Sequence, residues 1–156
     1  MRVKNGDVIK VNRGFYNHYG VYVEASNTVI HYTGENGPSD FHGIVRETSL
    51  KEFLNGSENF SVCEFPKDLQ EFAASMKNNR HSKFLFLVQL LRLIRLRDYH
   101  LYSGNETVER AKSKLGQSEY DLVFNNCEHF AVWCKTGVKN SSQVNRILDI
   151  AASFLG

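Results

Sequence analysis

The change in hydrophobic periodicity along the chain constrains its fold more than any other feature. In the first part, apolar and polar residues alternate, or Val, Ile and Tyr cluster, over short stretches that are typical of β-strands. The predicted strands are residues 7–12, 19–24, 28–33, 44–47 and 59–65. A polar break at residues 25–27 predicts a hairpin between the second and the third strand.

Helical spacing of apolar residues takes over in the later part of the chain. A short helix is predicted to open at Thr48 and Ser49 and to stop at Gly56. The longer predicted helices are residues 68–77, 83–97, 105–115, 126–135 and 141–155. In the third of these, Asn105 is the expected N-cap and Gly116 the expected stop. Because strands come first and helices follow, the order favours an α+β fold over an alternating α/β fold.

Length and composition narrow the class of protein. The 156 residues fit one domain, residues 1–156, and a formal charge of +2 is too small to indicate nucleic-acid binding. Three irregularly spaced cysteines predict neither a disulfide framework nor a zinc site, and we expect no metal and no cofactor. Reduced thiols, with no signal-peptide pattern and no apolar run of about 18 residues, predict a cytoplasmic protein.

Cys127 is the cysteine whose position suggests chemistry. It follows Asn125 and Asn126, which are good helix caps, so it is expected in the first turn of the helix that Gly137 closes. Backbone N–H groups and the helix dipole at that position favour a thiolate and predict a lowered pKa for the thiol. The same N–H groups can donate to an oxyanion on an attacked carbonyl.

His18 and His31 are the candidate partners of this thiol. The predicted hairpin brings them near one another, although they are 13 residues apart in sequence. A thiol nucleophile needs a base within hydrogen-bond reach and a third group that orients the base, and imidazole can fill either role. Spacing alone favours the alternative that both histidines are ordinary surface or core residues.

Two sequence motifs indicate a family. The segment GDVIKVNRGFYNHYGVYVEASNTVIHY, residues 6–32, contains a Gly-Asp strand, then His18 with Tyr22, then His31. The second segment, residues 111–137, contains the box Asn126-Cys127-Glu128-His129-Phe130. Both motifs, in this order, resemble the lecithin:retinol acyltransferase family and its phospholipid-acting relatives.

The resemblance implies a circularly permuted papain-like fold, in which His precedes Cys in the sequence as it does here. It implies that Cys127 attacks an ester carbonyl and becomes a thioester, and that no cofactor takes part. His18 then serves as general base and acid, and His31 orients His18. Asn126 supports the motif, as a helix cap. Tyr16 stands two residues before His18 and is a candidate oxyanion donor, with simple packing as the alternative.

Three functions remain open. The first is acyl transfer from a glycerophospholipid to water or to another acceptor, which the resemblance implies. The second is a cysteine amidase or peptidase, since related permuted papain-like folds cut amide bonds and fold does not fix substrate. The third is a non-catalytic binding module, which an intact set of Cys127, His18 and His31 argues against.

The middle of the chain departs from the family. Residues 66–100 are predicted to form a divergent, largely helical insertion, and residues 77–97 carry six Lys or Arg and no acidic residue. One interpretation is a helix that lies on an anionic membrane surface, which would make the protein peripheral to the membrane. The alternative is an internal helix whose arginines reach solvent. The oligomeric state is unknown from the sequence.

Overall fold

A five-stranded antiparallel sheet forms the centre of the fold. The computed structural model describes residues 2–34, 43–65, 67, 99–118 and 126–139. Within these residues the elements are β1 (Val8–Asn12), β2 (Asn17–Val23), β3 (Thr28–Gly34), β4 (Gly43–Ser49), α1 (Leu50–Leu54), β5 (Ser61–Cys63), α2 (Gly104–Lys112) and α3 (Asn126–Thr136). The strand order is β4-β3-β2-β1-β5. The predicted α+β class with a small antiparallel sheet is confirmed.

Several predicted elements cannot be compared with this structure. The helices predicted at residues 68–77, 83–97 and 141–155 lie outside the described residues, and so does nearly all of the insertion predicted at residues 66–100. In the described part of the chain, no helix is long and apolar enough to cross a membrane.

The two faces of the sheet bury different sets of side chains, because successive residues of a strand point to opposite faces. On β2, the odd-numbered residues from Tyr19 to Val23 join a cluster with α2 and α3. Tyr22 points the other way and joins a cluster with Phe53 of α1. By the same alternation His18 lies on the Phe53 face, whereas Tyr19 lies on the face that α3 covers.

The β2–β3 hairpin is paired only next to its turn. The register is Val21 with Ile30, Tyr22 with Val29 and Val23 with Thr28, and Asn27 closes the turn in a left-handed conformation with φ of 53°. Beyond Val21 the residues of β2 keep their partners on β1, and those of β3 beyond Ile30 pair with β4. The two strands therefore part, and one edge of β2 is left for other groups.

Local capping sets the ends of two helices. Ser49 caps α1 as its side chain accepts from Glu52 N, in agreement with the predicted start. For α2 the predicted cap, Asn105, is wrong because the helix begins at Gly104. Ser103 and Glu106 form a reciprocal capping box there, which satisfies two free N–H groups and starts the helix earlier. The helix ends at Lys112, and a turn carries the chain to the predicted stop at Gly116.

Arg110 joins α2 to α3. Its Nε donates to Cys134 O at 3.1 Å and its Nη2 to Trp133 O at 2.9 Å. The guanidinium also lies 4.1 Å from the ring centres of both Tyr102 and Trp133. A cation at the C-terminal end of a helix is favourable because it meets free carbonyls and the negative end of the dipole. This contact fixes the far end of α3, whose first turn carries Cys127.

Candidate active site

His18 and His31 meet where β2 and β3 part. His18 Nε2 lies 2.8 Å from His31 Nδ1, a hydrogen-bond distance. Both side chains are buried, with 7% and 5% of their surface exposed. The proximity of the two histidines that the hairpin predicts is therefore present.

Thr48 extends the histidine pair to a third strand. His31 Nε2 lies 2.9 Å from Thr48 Oγ1, so both ring nitrogens of His31 have hydrogen-bond partners. In the β3–β4 register His31 stands opposite Arg46, which makes Thr48 its diagonal neighbour. Sequence reasoning missed this contact, and noted Thr48 only as the start of α1. The signal that reveals it is the strand register, which the sequence motifs do not contain.

Phe53 forms the wall behind the two imidazoles. Its ring stacks on His18 at a centroid distance of 5.1 Å and 29° between planes, and meets His31 edge-on at 5.2 Å. Gly20 makes this approach possible, because a Cβ there would overlap the Val29 side chain and press on Phe53. The fully buried Phe53 holds the histidine rings in place and keeps water from this side of them.

Cys127 lies against the free edge of β2. It is the second residue of α3, its Sγ is 3.9 Å from Asn17 O, and it also has a backbone hydrogen bond with Tyr19. Tyr22 N and O bond toward β1, so the backbone groups of Asn17 and Tyr19 point to the opposite side, where β3 would have paired. The thiol thus occupies the gap between the parted strands, beside the stretch of β2 that carries His18.

Burial sets the charge state of the site. It lowers the pKa of His18 to about 4, with a smaller contribution from Arg13. It also lowers the pKa of His31 to about 3, with further contributions from His18, Arg13 and Arg46. Both imidazoles are therefore neutral near pH 7.

The predicted lowering of the Cys127 pKa is wrong. Burial raises the pKa of the thiol to about 11. The hydrogen bonds from Tyr19 and from the first turn of α3 do act to lower it, as expected at a helix start, but they are outweighed. The Glu128 carboxylate beside the thiol raises the pKa further. The structure therefore pairs a neutral thiol with neutral imidazoles.

The other candidate residues are less buried or lie at the edge of the described chain. Tyr16 is 45% exposed and its ring meets His18 edge-on at 6.4 Å, so it is not a packed core residue. Asn126 is the first residue of α3. Cys134 is fully buried in the core. His129 has a buried Nε2 without a hydrogen-bond partner in the described part of the chain.

The fold and the site together define a class. A buried thiol at the start of a helix lies against the backbone of Asn17, the neighbour of His18, and the His18 ring is hydrogen-bonded to His31 on an antiparallel sheet in an α+β fold. A family model described as lecithin retinol acyltransferase matches residues 1–140. The chain therefore belongs to the lecithin retinol acyltransferase family, as its motifs predict.

Three relatives whose names state an activity are consistent with membership of this family. The chain is 29% identical over 150 residues to lecithin retinol acyltransferase of Rattus norvegicus, covering 90% of this chain and 58% of the rat protein. It is 27% identical over 164 residues to phospholipase A and acyltransferase 3 of Homo sapiens, covering 98% and 82%. Phospholipase A and acyltransferase 1 of Rattus norvegicus is 27% identical over 145 residues, covering 92% and 74%. The chain spans less than two thirds of the length of the lecithin retinol acyltransferases that it matches.

The lowered histidine pKa values predict acid sensitivity of the fold. In the unfolded chain both histidines titrate near their usual pKa of about 6.5, so below that pH the unfolded state binds more protons than the folded state. The free energy of unfolding should therefore fall as the pH is lowered from about pH 7 to about pH 5, above the range of most carboxylates. Urea unfolding at several pH values measures it.

Two variants test the assignment of this fall in stability. His31→Gln removes one of the two buried groups and should make the decline with pH shallower. His100→Gln removes an exposed histidine and should leave the decline as in the wild type. A free energy of unfolding that stays flat from about pH 7 to pH 5 would contradict the lowered pKa values of the pair.

Proposed function

We propose that this protein is a thiol acyltransferase or hydrolase that acts on the acyl esters of glycerophospholipids through a thioester on Cys127. The observation that carries the proposal is the position of the Cys127 thiol against the backbone of Asn17, which directly precedes His18 on β2, while the His18 ring is hydrogen-bonded to His31. The names of relatives as acyltransferases and as phospholipases A support ester chemistry on lipids. The order His before Cys supports the permuted papain-like arrangement of the family.

Hydrogen bonding decides which nitrogen of His18 acts as the base. His18 Nε2 is engaged with His31, so Nδ1 is the nitrogen left to receive a proton from Cys127. The thiol proton moves to Nδ1 as sulfur forms a bond to the ester carbonyl carbon. The tetrahedral intermediate then collapses with loss of the lysophospholipid alkoxide, which takes the proton back from His18. Water, or another acceptor, later attacks the thioester with His18 as base, and releases Cys127.

The oxyanion of this intermediate needs hydrogen-bond donors. The backbone N–H groups of Cys127 and Glu128, which act to lower the pKa of the thiol, are the first candidates because they lie at the start of α3 next to the sulfur. Tyr16 is the second, as its ring lies beside His18 at the surface.

The neutral resting pair shapes the mechanism. Because burial disfavours both a free thiolate and an imidazolium, charge develops only as the thiol proton is transferred and sulfur attacks. The water-excluding wall of Phe53 strengthens the hydrogen bonds that stabilise this charge when it forms. The neutral thiol should thus react slowly with alkylating reagents until an acyl donor occupies the site.

Three substitutions test the assigned roles. Cys127→Ala should abolish release of fatty acid from phosphatidylcholine vesicles and leave the fold intact, because the side chain changes little in volume. His18→Ala should lower kcat/KM by about a thousandfold through loss of the base. His31→Gln should cost only about tenfold, because the amide retains an acceptor for His18. Fatty-acid release is the assay, with circular dichroism as the check on folding.

The outcomes separate the candidate functions. Wild-type activity in His18→Ala would remove His18 from the role of base, and equal losses in the two histidine variants would mean that base and orienter are ranked wrongly. Hydrolysis of peptide or isopeptide substrates with no release of fatty acid would make the site that of an amidase instead.

A lipid substrate implies contact with a lipid surface. Residues 77–97, for which a helix on the membrane surface is one of two interpretations of the sequence, lie outside the described residues. In the described part, the turn between β1 and β2 exposes Phe15 fully and Tyr16 by 45%. Arg13 anchors this turn through hydrogen bonds to Phe53 O and Leu54 O. We propose that this turn contacts the lipid surface. It directly precedes Asn17, whose carbonyl lies next to the Cys127 thiol.

The charge around this turn supports the same contact. No acidic residue stands between Asp7 and Glu24, whereas Lys10 lies in that stretch. Aromatic side chains favour the boundary between headgroups and acyl chains, and cations favour phosphate.

Phe15→Ser tests the lipid contact. Loss of one inserted aromatic ring, worth about 2 kcal/mol on burial, should weaken vesicle binding at least tenfold, as measured by cosedimentation. Activity on a monomeric short-chain ester should stay at the wild-type level. Leu115→Ser, which removes another exposed apolar side chain beyond α2, is the matched control and should bind vesicles normally. Equal vesicle binding by Phe15→Ser and wild type would contradict the contact.

A further inference from the structure

Thr48 is the last member of a continuous chain of hydrogen bonds that starts at His18. The chain runs from His18 Nε2 to His31 Nδ1 at 2.8 Å and from His31 Nε2 to Thr48 Oγ1 at 2.9 Å. The Thr48 hydroxyl also reaches Ser49 O at 3.4 Å, where it is the donor. Since a hydroxyl has one hydrogen and two lone pairs, this leaves Thr48 Oγ1 free to accept from His31.

The direction of the hydrogen bonds follows from the state that the base must have. For His18 Nδ1 to take the thiol proton it must be unprotonated, so the single hydrogen of the neutral ring is on Nε2. That N–H donates to His31 Nδ1, which must then be unprotonated in turn. The hydrogen of His31 is therefore on Nε2 and needs an acceptor, and Thr48 Oγ1 is the atom at that place.

The reversed chain would disable the base. If Thr48 donated to His31 Nε2, His31 Nδ1 would carry the hydrogen and donate to His18 Nε2. His18 Nδ1 would then be protonated and could not accept from Cys127. Once His18 is an imidazolium, only the forward direction is possible, because both of its nitrogens are donors. The acceptor at Thr48 thus matters most when charge is on His18, which is the state that resembles the transition state.

We propose that Thr48 is a positioning residue that holds His31 in the Nε2–H tautomer, so that His31 Nδ1 accepts from His18 throughout the reaction. This inference rests on the proposed function for the identity of the base. It assigns no contact between Thr48 and substrate. Its consequence is that the Thr48 hydroxyl contributes to kcat and not to substrate binding.

The kinetic test compares three substitutions. Thr48→Val removes the hydroxyl at nearly constant shape and should lower kcat by about tenfold, with KM for a short-chain ester unchanged. Thr48→Ser keeps the hydroxyl and should restore kcat to within about threefold of wild type. Thr28→Val is the matched control, because its hydroxyl bonds to Ser26 and Glu47 at the exposed end of the same sheet, and should leave kcat unchanged.

The spectroscopic test does not depend on activity. Two-bond ¹H–¹⁵N spectra of the histidine rings distinguish a protonated ring nitrogen from an unprotonated one. His31 should carry its hydrogen on Nε2 in the wild type and in Thr48→Ser, and should shift toward the Nδ1–H form in Thr48→Val. If Thr48→Val does not fold, Thr48→Ala removes the same hydroxyl and carries the same expectations.

The results separate this inference from the proposed function. A wild-type kcat without the hydroxyl, or an unchanged His31 tautomer in Thr48→Val, would overturn the positioning role even where Cys127→Ala and His18→Ala are inactive. Full activity of Cys127→Ala would overturn the proposed function, while the tautomer measurement would still report whether Thr48 sets the state of His31.

Discussion

The separation of β2 from β3 beyond the Val21–Ile30 pair is the feature on which the rest of the site depends. A regular hairpin would fill the edge of β2 with the backbone of β3 and leave no room for a side chain. Because the strands part, the Cys127 thiol takes the place of the missing strand against Asn17 and Tyr19. The histidines, which lie on the other face by strand alternation, meet each other at the same gap. The thiol thus lies against the same stretch of β2 that carries His18.

Burial then sets the charge states of the thiol and of the two histidines. It raises the pKa of Cys127 and lowers the pKa values of His18 and His31. A helix start usually favours a thiolate, and here its N–H groups act in that direction without prevailing. These pKa values favour a neutral thiol and neutral imidazoles in the free protein over a thiolate–imidazolium ion pair. Phe53 packs against the two imidazoles, and Gly20 leaves room for the Phe53 ring. The Thr48 hydroxyl lies at hydrogen-bond distance from His31.

Local sequence patterns predicted the individual strands and helices better than they predicted the contacts between them. The β2–β3 hairpin, the helix that begins near Cys127 and the α+β class follow from periodicity and caps, which act over a few residues. The Thr48 contact depends on the β3–β4 register, and the role of Phe53 on the packing of α1 across the sheet. Neither is encoded in a short motif. The raised pKa of the thiol escaped prediction for the same reason, since burial is a property of the whole fold.

The most direct test of the central claim is the intact mass of the protein after incubation with phosphatidylcholine vesicles, for wild type and for Cys127→Ala. The account predicts a mass gain of one fatty-acyl group on the wild type alone, removable by hydroxylamine, as a thioester would be. An acyl group on Cys127→Ala as well, or no adduct on the wild type together with no release of fatty acid, would contradict it.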